Sequence, residues 1–167
     1  MRDIPAFNTC DLCDAHVDAF PPVLYVLAPL FQDYGSLRRF AGPVSTVRCL
    51  EDNAKVAEAV NSPGEGRVLV VDGAASLRRA LCGGNLAAAA SRNGWAGLVV
   101  DGAVRDVLEL RASGIGIRAL ALQPMRPRKD DQGQRDVPVT IQGVDVRPGW
   151  WLYADEDGIV VSPRALA

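Results

Sequence analysis

Cys82-Gly83-Gly84-Asn85-Leu86-Ala87-Ala88-Ala89-Ala90-Ser91-Arg92-Asn93-Gly94-Trp95-Ala96-Gly97-Leu98-Val99-Val100-Asp101-Gly102 is the stretch that decides the fold. A glycine pair opens it, an alanine-rich run follows, and a continuous apolar run closes it. Alanine favours helix and allows close packing on a sheet, and Gly94 suits the left-handed position just past a helix end. A helix is therefore predicted over Asn85 to Asn93. Gly97 to Asp101 reads as a buried strand, and upstream Arg67-Val68-Leu69-Val70-Val71-Asp72-Gly73 nearly repeats it. Two buried strands with a helix between them predict a parallel βαβ unit, and with it an α/β fold.

The same stretch is the candidate active site. Glycines ahead of a helix leave backbone N–H groups bare at its N-terminus, where orphan donors and the helix dipole favour a carboxylate or phosphate. The strand that follows leads to Arg105, Asp106 and Glu109. In a helical continuation, Asp106 and Glu109 stand at i and i+3, and Arg105 and Glu109 at i and i+4, so all three can address one neighbourhood. Two close carboxylates repel unless a cation lies between them, and hard oxygen donors suit hydrated Mg²⁺ or Mn²⁺. An Arg105–Glu109 surface ion pair with a solvated Asp106 is the competing reading, as is a simple tight turn at Gly83-Gly84. Neither GxGxxG nor GxxxxGK[ST] is present, which disfavours a nucleotide loop or a methyl-donor loop. Asp101 at the strand end is not counted in the site.

Working outward, Asn8 or Thr9 caps a first helix from Cys10 to Ala19, stopped by Pro21-Pro22. Residues 23 to 42 read as irregular or short-strand structure. Val44 to Leu50 is rich in β-formers, and Asp52 or Asn53 starts a helix through Val60 that Pro63-Gly64 ends. Past Glu109 come a short helix to about Ser113 and a strand near Ile115 to Leu122. Gln123 to Asp136 lacks apolar periodicity and reads as a long surface loop, either a lid or interface arm or merely mobile. Val137 to Ile141, Val144 to Val146, Trp151 to Ala154 and Ile159 to Ser162 then read as short strands of an antiparallel region. Gly143, Pro148-Gly149 and Asp157-Gly158 separate them.

The chain has 167 residues, of which 49% are hydrophobic, enough for a sizeable core in one domain, residues 1–167. A net charge of −2 provides no global field toward nucleic acid or a membrane, so any anion site must be local. The absence of an apolar middle after Met1-Arg2-Asp3-Ile4-Pro5-Ala6 suggests no export signal, hence a cytoplasmic protein with reduced thiols. Cys10 and Cys13 form a CxxC pair without a second pair to complete a zinc site, and all four cysteines are read as packing residues. His16, the only histidine, is given no role.

The pattern Gly84, twenty residues, Arg105-Asp106, two residues, Glu109 resembles the motif of the RraA-like family. That family includes regulators of ribonuclease E activity and class II 4-hydroxy-4-methyl-2-oxoglutarate aldolases. Ordered matches run along nearly the whole chain, among them Thr9 to Ala15, Gly42 to Val47, Glu51-Asp52-Asn53, Val70 to Gly73, Gly83 to Leu86, Gly94 to Gly97, Val104 to Asp106 and Tyr153 to Gly158. The resemblance implies a swivelling β/β/α fold and a homotrimer with sites at subunit interfaces. It also implies that Gly83, Gly84, Asn85 and Leu86 present N–H groups to the carboxylate of a 2-oxo acid, that Arg105 contacts substrate oxygens, and that Asp106 holds a divalent metal largely through water. Many family aldolases carry Asp where this chain has Gly84, and the resemblance implies that Glu109, four after the arginine, supplies the missing carboxylate. The activity implied is metal-dependent retro-aldol cleavage with an oxaloacetate decarboxylase side reaction, and the alternative is a regulator that binds a ribonuclease E-type partner. A menaquinone methyltransferase is the reading that the missing methyl-donor loop disfavours. Trp150 stands where relatives often carry a polar or acidic residue, and nothing in the sequence explains it.

Overall fold

The computed structural model describes residues 6–167; the reading of Met1 to Pro5 as free of an export signal lies outside them. The helices are α1 (Thr9–His16), α2 (Ala54–Val60), α3 (Gly84–Arg92) and α4 (Val107–Arg111). The strands are β1 (Tyr25–Val26), β2 (Gln32–Asp33), β3 (Phe40–Arg48), β4 (Val68–Asp72), β5 (Ala80–Cys82), β6 (Gly97–Val104), β7 (Gly116–Leu122), β8 (Gln134–Arg135), β9 (Val139–Ile141), β10 (Val144–Val146), β11 (Trp151–Ala154) and β12 (Ile159–Ser162).

One sheet runs in the order β1-β12-β11-β3-β4-β6-β7-β2, with β5 added on β6 and β8 on β3. Its middle, β3-β4-β6-β7, is parallel, as the repeated apolar run predicts, while β11 on β3, β12 on β11 and β1 on β12 are antiparallel. β3 belongs to both regions. Phe40 to Pro43 pair with β11, and Val44 to Arg48 pair with β4. Pro43 lies inside this strand and does not open it; a proline lacks only its donor, and it sits where β3 exchanges one partner for another. The result is the swivelling β/β/α arrangement, with a βαβ unit and an antiparallel C-terminal region.

Both faces of the parallel strands are buried, so their alternation separates two cores. Leu69, Val71, Leu98, Val100 and Ile117 face Val56, Val60, Ala87, Ala90 and Leu110 of the helices. Val68, Val70 and Val99 face the other way, against Phe40, Ile141, Val146, Leu152 and Val161. The near-repeated Val-Val-Asp-Gly runs share a further task. Asp72 accepts from the Thr140 N–H and Asp101 from the Gln142 side chain, so the two strands hold the β9–β10 hairpin. Burial first, then the charge of Asp72, raises the Asp101 carboxyl above the ordinary aspartate range despite that bond.

The first helix ends at His16, earlier than the Ala19 expected, and Asn8 caps it through the Asp11 N–H. Thr9 ties it to the sheet: its N–H and hydroxyl donate to the buried Asp155 carboxylate at 2.7 and 2.6 Å. Burial by itself would raise that carboxyl, but the bonds from Thr9 and from the Asp157 N–H outweigh it and hold the group below its ordinary range. A carboxyl depressed on folding stabilises fully above its unfolded value of about 3.9, and the contribution is lost as pH falls through the lower folded value. Thr9→Val is therefore expected to cost roughly 1–3 kcal/mol at pH 7, with the gap to the parent protein closing in acid. Urea melts at neutral pH and near pH 3 would show it.

Candidate active site

The mouth of α3 forms as its sequence requires. Gly83 is the N-cap residue and offers no side-chain cap, and no acidic residue occupies the first turn. The first intrahelical bond runs from the Ala87 N–H to Gly83 O, so the N–H groups of Gly84, Asn85 and Leu86 precede it. One of these three is already used: the Gly84 N–H donates to Asp106 Oδ2 at 3.0 Å. The Asn85 and Leu86 N–H groups stand at the same helix mouth.

The region after Gly102 differs from the helical continuation expected. β6 extends to Val104, Arg105 lies between elements, and α4 begins at Val107 with Asp106 as its N-cap residue in the left-handed region, at φ 64° and ψ 49°. Asp tolerates that conformation better than most residues, and here its side chain is held by a long-range bond from the Gly84 N–H. Arg105 therefore does not share a helix face with Glu109. Among the described residues no ion pair joins the two, and the surface-pair reading fails. Arg105 instead donates to Pro124 O at 3.4 Å.

Glu109 reaches α3 by another route. A Cβ placed on Gly84 would lie 1.7 Å from Glu109 Oε2 and 2.7 Å from its Cβ, so the glutamate covers the bare α-carbon of Gly84. A Cβ on Gly83 would meet Asp106 Oδ2 at 2.5 Å. Each glycine thus makes room for one carboxylate, a close approach that a Cβ at either position would block.

These elements frame a cavity of about 310 Å³ lined by Asn53, Ala54, Ala57, Ala80, Cys82, Gly83, Asn85, Leu86, Arg105, Asp106, Pro127 and Lys129. Five of the seven predicted site residues lie on its wall. Gly84 and Glu109 do not; they stack beside it. Asn53, Pro127 and Lys129 are additions that helix and strand patterns did not point to. Asn53 lies in the Glu51-Asp52-Asn53 run that carried the resemblance, and its side chain donates to Leu81 O at 3.2 Å. Lys129 comes from the stretch read as a surface loop, which is pinned rather than loose. Asp52, 1% exposed, accepts from the Asp130 N–H, the Asn53 N–H donates to Arg128 O, and the Ala80 N–H donates to Met125 O. β8 then joins β3.

Arg105 and Lys129 give the cavity two cations against the one carboxylate of Asp106, which suits an anionic guest. Burial first, and then the charge of Asp106, push the Cys82 thiol up to about 12, so it stays protonated and is no nucleophile at neutral pH. His16 bonds Leu12 O on α1 and is not on the wall. All four cysteines are free; Cys49 and Cys82 are buried as packing residues, whereas Cys10 is exposed and is not one. Among the described residues no group of three or more His, Cys, Asp or Glu side chains is placed to hold a metal by itself. The two carboxylates beside Gly84 match an ion that keeps most of its water and shares few protein ligands.

A protein of Albidiferax ferrireducens, provisionally named a 4-hydroxy-4-methyl-2-oxoglutarate aldolase, is 58% identical over 97% of this chain and 98% of its own. The structure of the RNA-processing inhibitor RraA from Thermus thermophilis superposes with a TM-score of 0.91 at 46% identity, covering 97% of this chain and 96% of that one. A structure from Geobacillus kaustophilus described as an S-adenosylmethionine: 2-dimethylmenaquinone methyltransferase gives 0.89 at 42% identity, over 96% and 97%. The family model described as RraA-like, Aldolase/RraA, matches residues 9–161, which take in α1, the α3 mouth and all but the last residue of the closing strands, and the chain belongs to that family.

Proposed function

We propose that this protein is a lyase that cleaves 4-hydroxy-4-methyl-2-oxoglutarate, or a close relative, into two 2-oxo acids, both of them pyruvate for the named substrate. The observation that carries the reading is the meeting of an uncapped helix N-terminus, Arg105 and Asp106 on one cavity wall. The name given to the Albidiferax relative supports the same reading. The Asn85 and Leu86 N–H groups take the carboxylate next to the oxo group, and Arg105 takes the 2-oxo oxygen. Breaking the C3–C4 bond sends its electron pair onto that oxygen as an enolate, while the 4-hydroxyl loses its proton and becomes the carbonyl of the second product. Arg105 stabilises charge as it develops, the kind of term that dominates such reactions. The base is a water held by Asp106 or Glu109, since no histidine lines the cavity. The same water returns a proton to C3.

Asp106 and Glu109 would hold Mg²⁺ or Mn²⁺, and a bound ion would supply Lewis-acid stabilisation of the oxyanion. Oxaloacetate loses CO₂ through the same enolate, so decarboxylation is expected alongside. We place the enzyme in the cytoplasm as a homotrimer. The name of the Thermus protein favours a second reading, a regulator that binds a ribonuclease E-type partner through protein contacts.

A coupled pyruvate assay with and without chelator separates the two. Chelator-sensitive pyruvate release that vanishes in Arg105→Ala supports the lyase; inhibition of a ribonuclease that survives Arg105→Ala, with no turnover, supports the regulator. Within the lyase, Glu109→Gln is expected to lower turnover at least tenfold and to raise the metal concentration required. Because Glu109 is exposed, unfolding free energy should stay within about 0.5 kcal/mol. Unchanged metal dependence would remove Glu109 from the site.

A further inference from the structure

A second cavity, of about 620 Å³, shares no lining residue with the one at the α3 mouth; Asp33, Ser36, Arg38, Arg111, Arg118 and Glu156 are on its wall. Arg118 is the anomaly in its wall. It sits on β7, opposite Asp33 of β2, and is only 6% exposed. Its Nη2 donates to the carbonyls of Arg38 and Asp155, both at 2.8 Å, but its buried Nε has no acceptor. Among the described residues no carboxylate lies within ion-pair distance of it. Proteins rarely leave a buried guanidinium without a counter-charge, because its lost hydration is then uncompensated.

The neighbouring charges do not provide one. Asp33 Oδ1 accepts from the Gly35 N–H, and Glu156 is paired with Arg39. Asp155, close by in sequence, spends its carboxylate on Thr9 and Asp157. Arg38 and Arg111, both exposed at the cavity, also lack a carboxylate partner among the described residues. Ser36 joins the wall to α4, donating to Arg111 O and accepting from the Gly114 N–H. Three guanidiniums around one void, one of them buried and short of an acceptor, make an anion receptor of the kind arginine forks favour.

We propose that this cavity binds a small multivalent oxyanion, a phosphate-bearing or dicarboxylate metabolite, at Arg118, Arg38 and Arg111. The site is separate from the cavity at α3, yet α4 spans the distance between them, with Asp106 at its start and Arg111 at its end.

The test uses the intact chain carrying Arg105→Ala and Lys129→Ala, so that the α3 cavity is disabled as an anion site. Inorganic phosphate and succinate are titrated separately while thermal unfolding is followed. At about 100-fold above Kd, the fitting anion is expected to raise Tm by roughly 5 °C. The added pair Arg38→Gln and Arg111→Gln, both on exposed residues, should reduce that rise at least fivefold. Arg118→Met should abolish it; because this variant also removes the donor to Arg38 O and Asp155 O, its shift is read against its own ligand-free Tm. Phosphate alone raising Tm names a phosphate ligand, and succinate alone names a dicarboxylate. Equal stabilisation in all variants, or none by either anion, overturns the proposal. So does a loss of subunits from the assembly in the Arg38 and Arg111 variant without any anion effect, which would give the cavity to a second copy of the chain.

Discussion

Asp106→Asn is expected to reduce kcat for metal-dependent pyruvate release by about 10²–10³-fold, the scale seen when one preorganised electrostatic group is removed from an active site. Asparagine is the informative replacement because Asp106 occupies the left-handed region, which asparagine enters readily and alanine does not. Its side-chain oxygen can still accept the Gly84 N–H, so the mouth of α3 keeps its shape. What disappears is the negative charge. The fall should appear mainly in kcat, with Tm nearly unchanged, and a higher metal requirement should accompany it. A variant that turns over normally with Mg²⁺ or Mn²⁺ would remove Asp106 from the mechanism and leave only its structural bond to Gly84.

Phe40→Ala is expected to produce the largest loss of stability from a single change, about 3–5 kcal/mol. The ring is fully buried, at the start of the strand that belongs to both sheet regions. It lies across bare backbone: a Cβ on Gly116 would fall 2.0 Å from its Cδ1, and one on Gly97 2.5 Å from its Cδ2. Two glycines of the parallel strands thus hold open the space that one aromatic ring fills. Removing the ring leaves a void whose walls are main chain fixed by sheet hydrogen bonds, so they cannot close in. Tm should drop by roughly 10 °C or more for a chain of this size. Denaturant unfolding with an unchanged slope would confirm that the folded state alone is affected.

The parts that were legible in the sequence were those with strong local signals. The near-repeat around Val70 and Val99 announced the parallel pair, and the run Ala87 to Ala90 announced the helix between them. Phe40 to Gly42 lie in the stretch that reads only as irregular or short-strand structure, because their place in β3 is decided by pairing with β11, where the strand exchanges neighbours at Pro43. Ala80 to Cys82 were missed because three apolar residues carry no period, and only β6 gives them a ladder. At the site, the glycines and charged residues were visible as a motif, but their geometry was not. Spacing suggested that Arg105 and Glu109 share a helix, whereas the left-handed turn at Asp106 separates them and turns Glu109 onto Gly84. Lys129 could not be found from pattern, since long-range bonds such as Asp130 N–H to Asp52 and Ala80 N–H to Met125 O carry its loop to the cavity.

The stacking of Glu109 on Gly84 also constrains the order in which such a site can change over time. One small volume beside the helix mouth admits a carboxylate from α3 or from α4, but not from both. A lineage moving the acid from one helix to the other cannot add the new one first, because the two would collide. It must pass through a chain with glycine at 84 and a small residue at 109, in which neither acid is present. That intermediate would fold, since the slot is exposed to solvent on the α4 side. Under the proposed function it would be catalytically weak, so a valley in activity rather than in stability would separate the two arrangements.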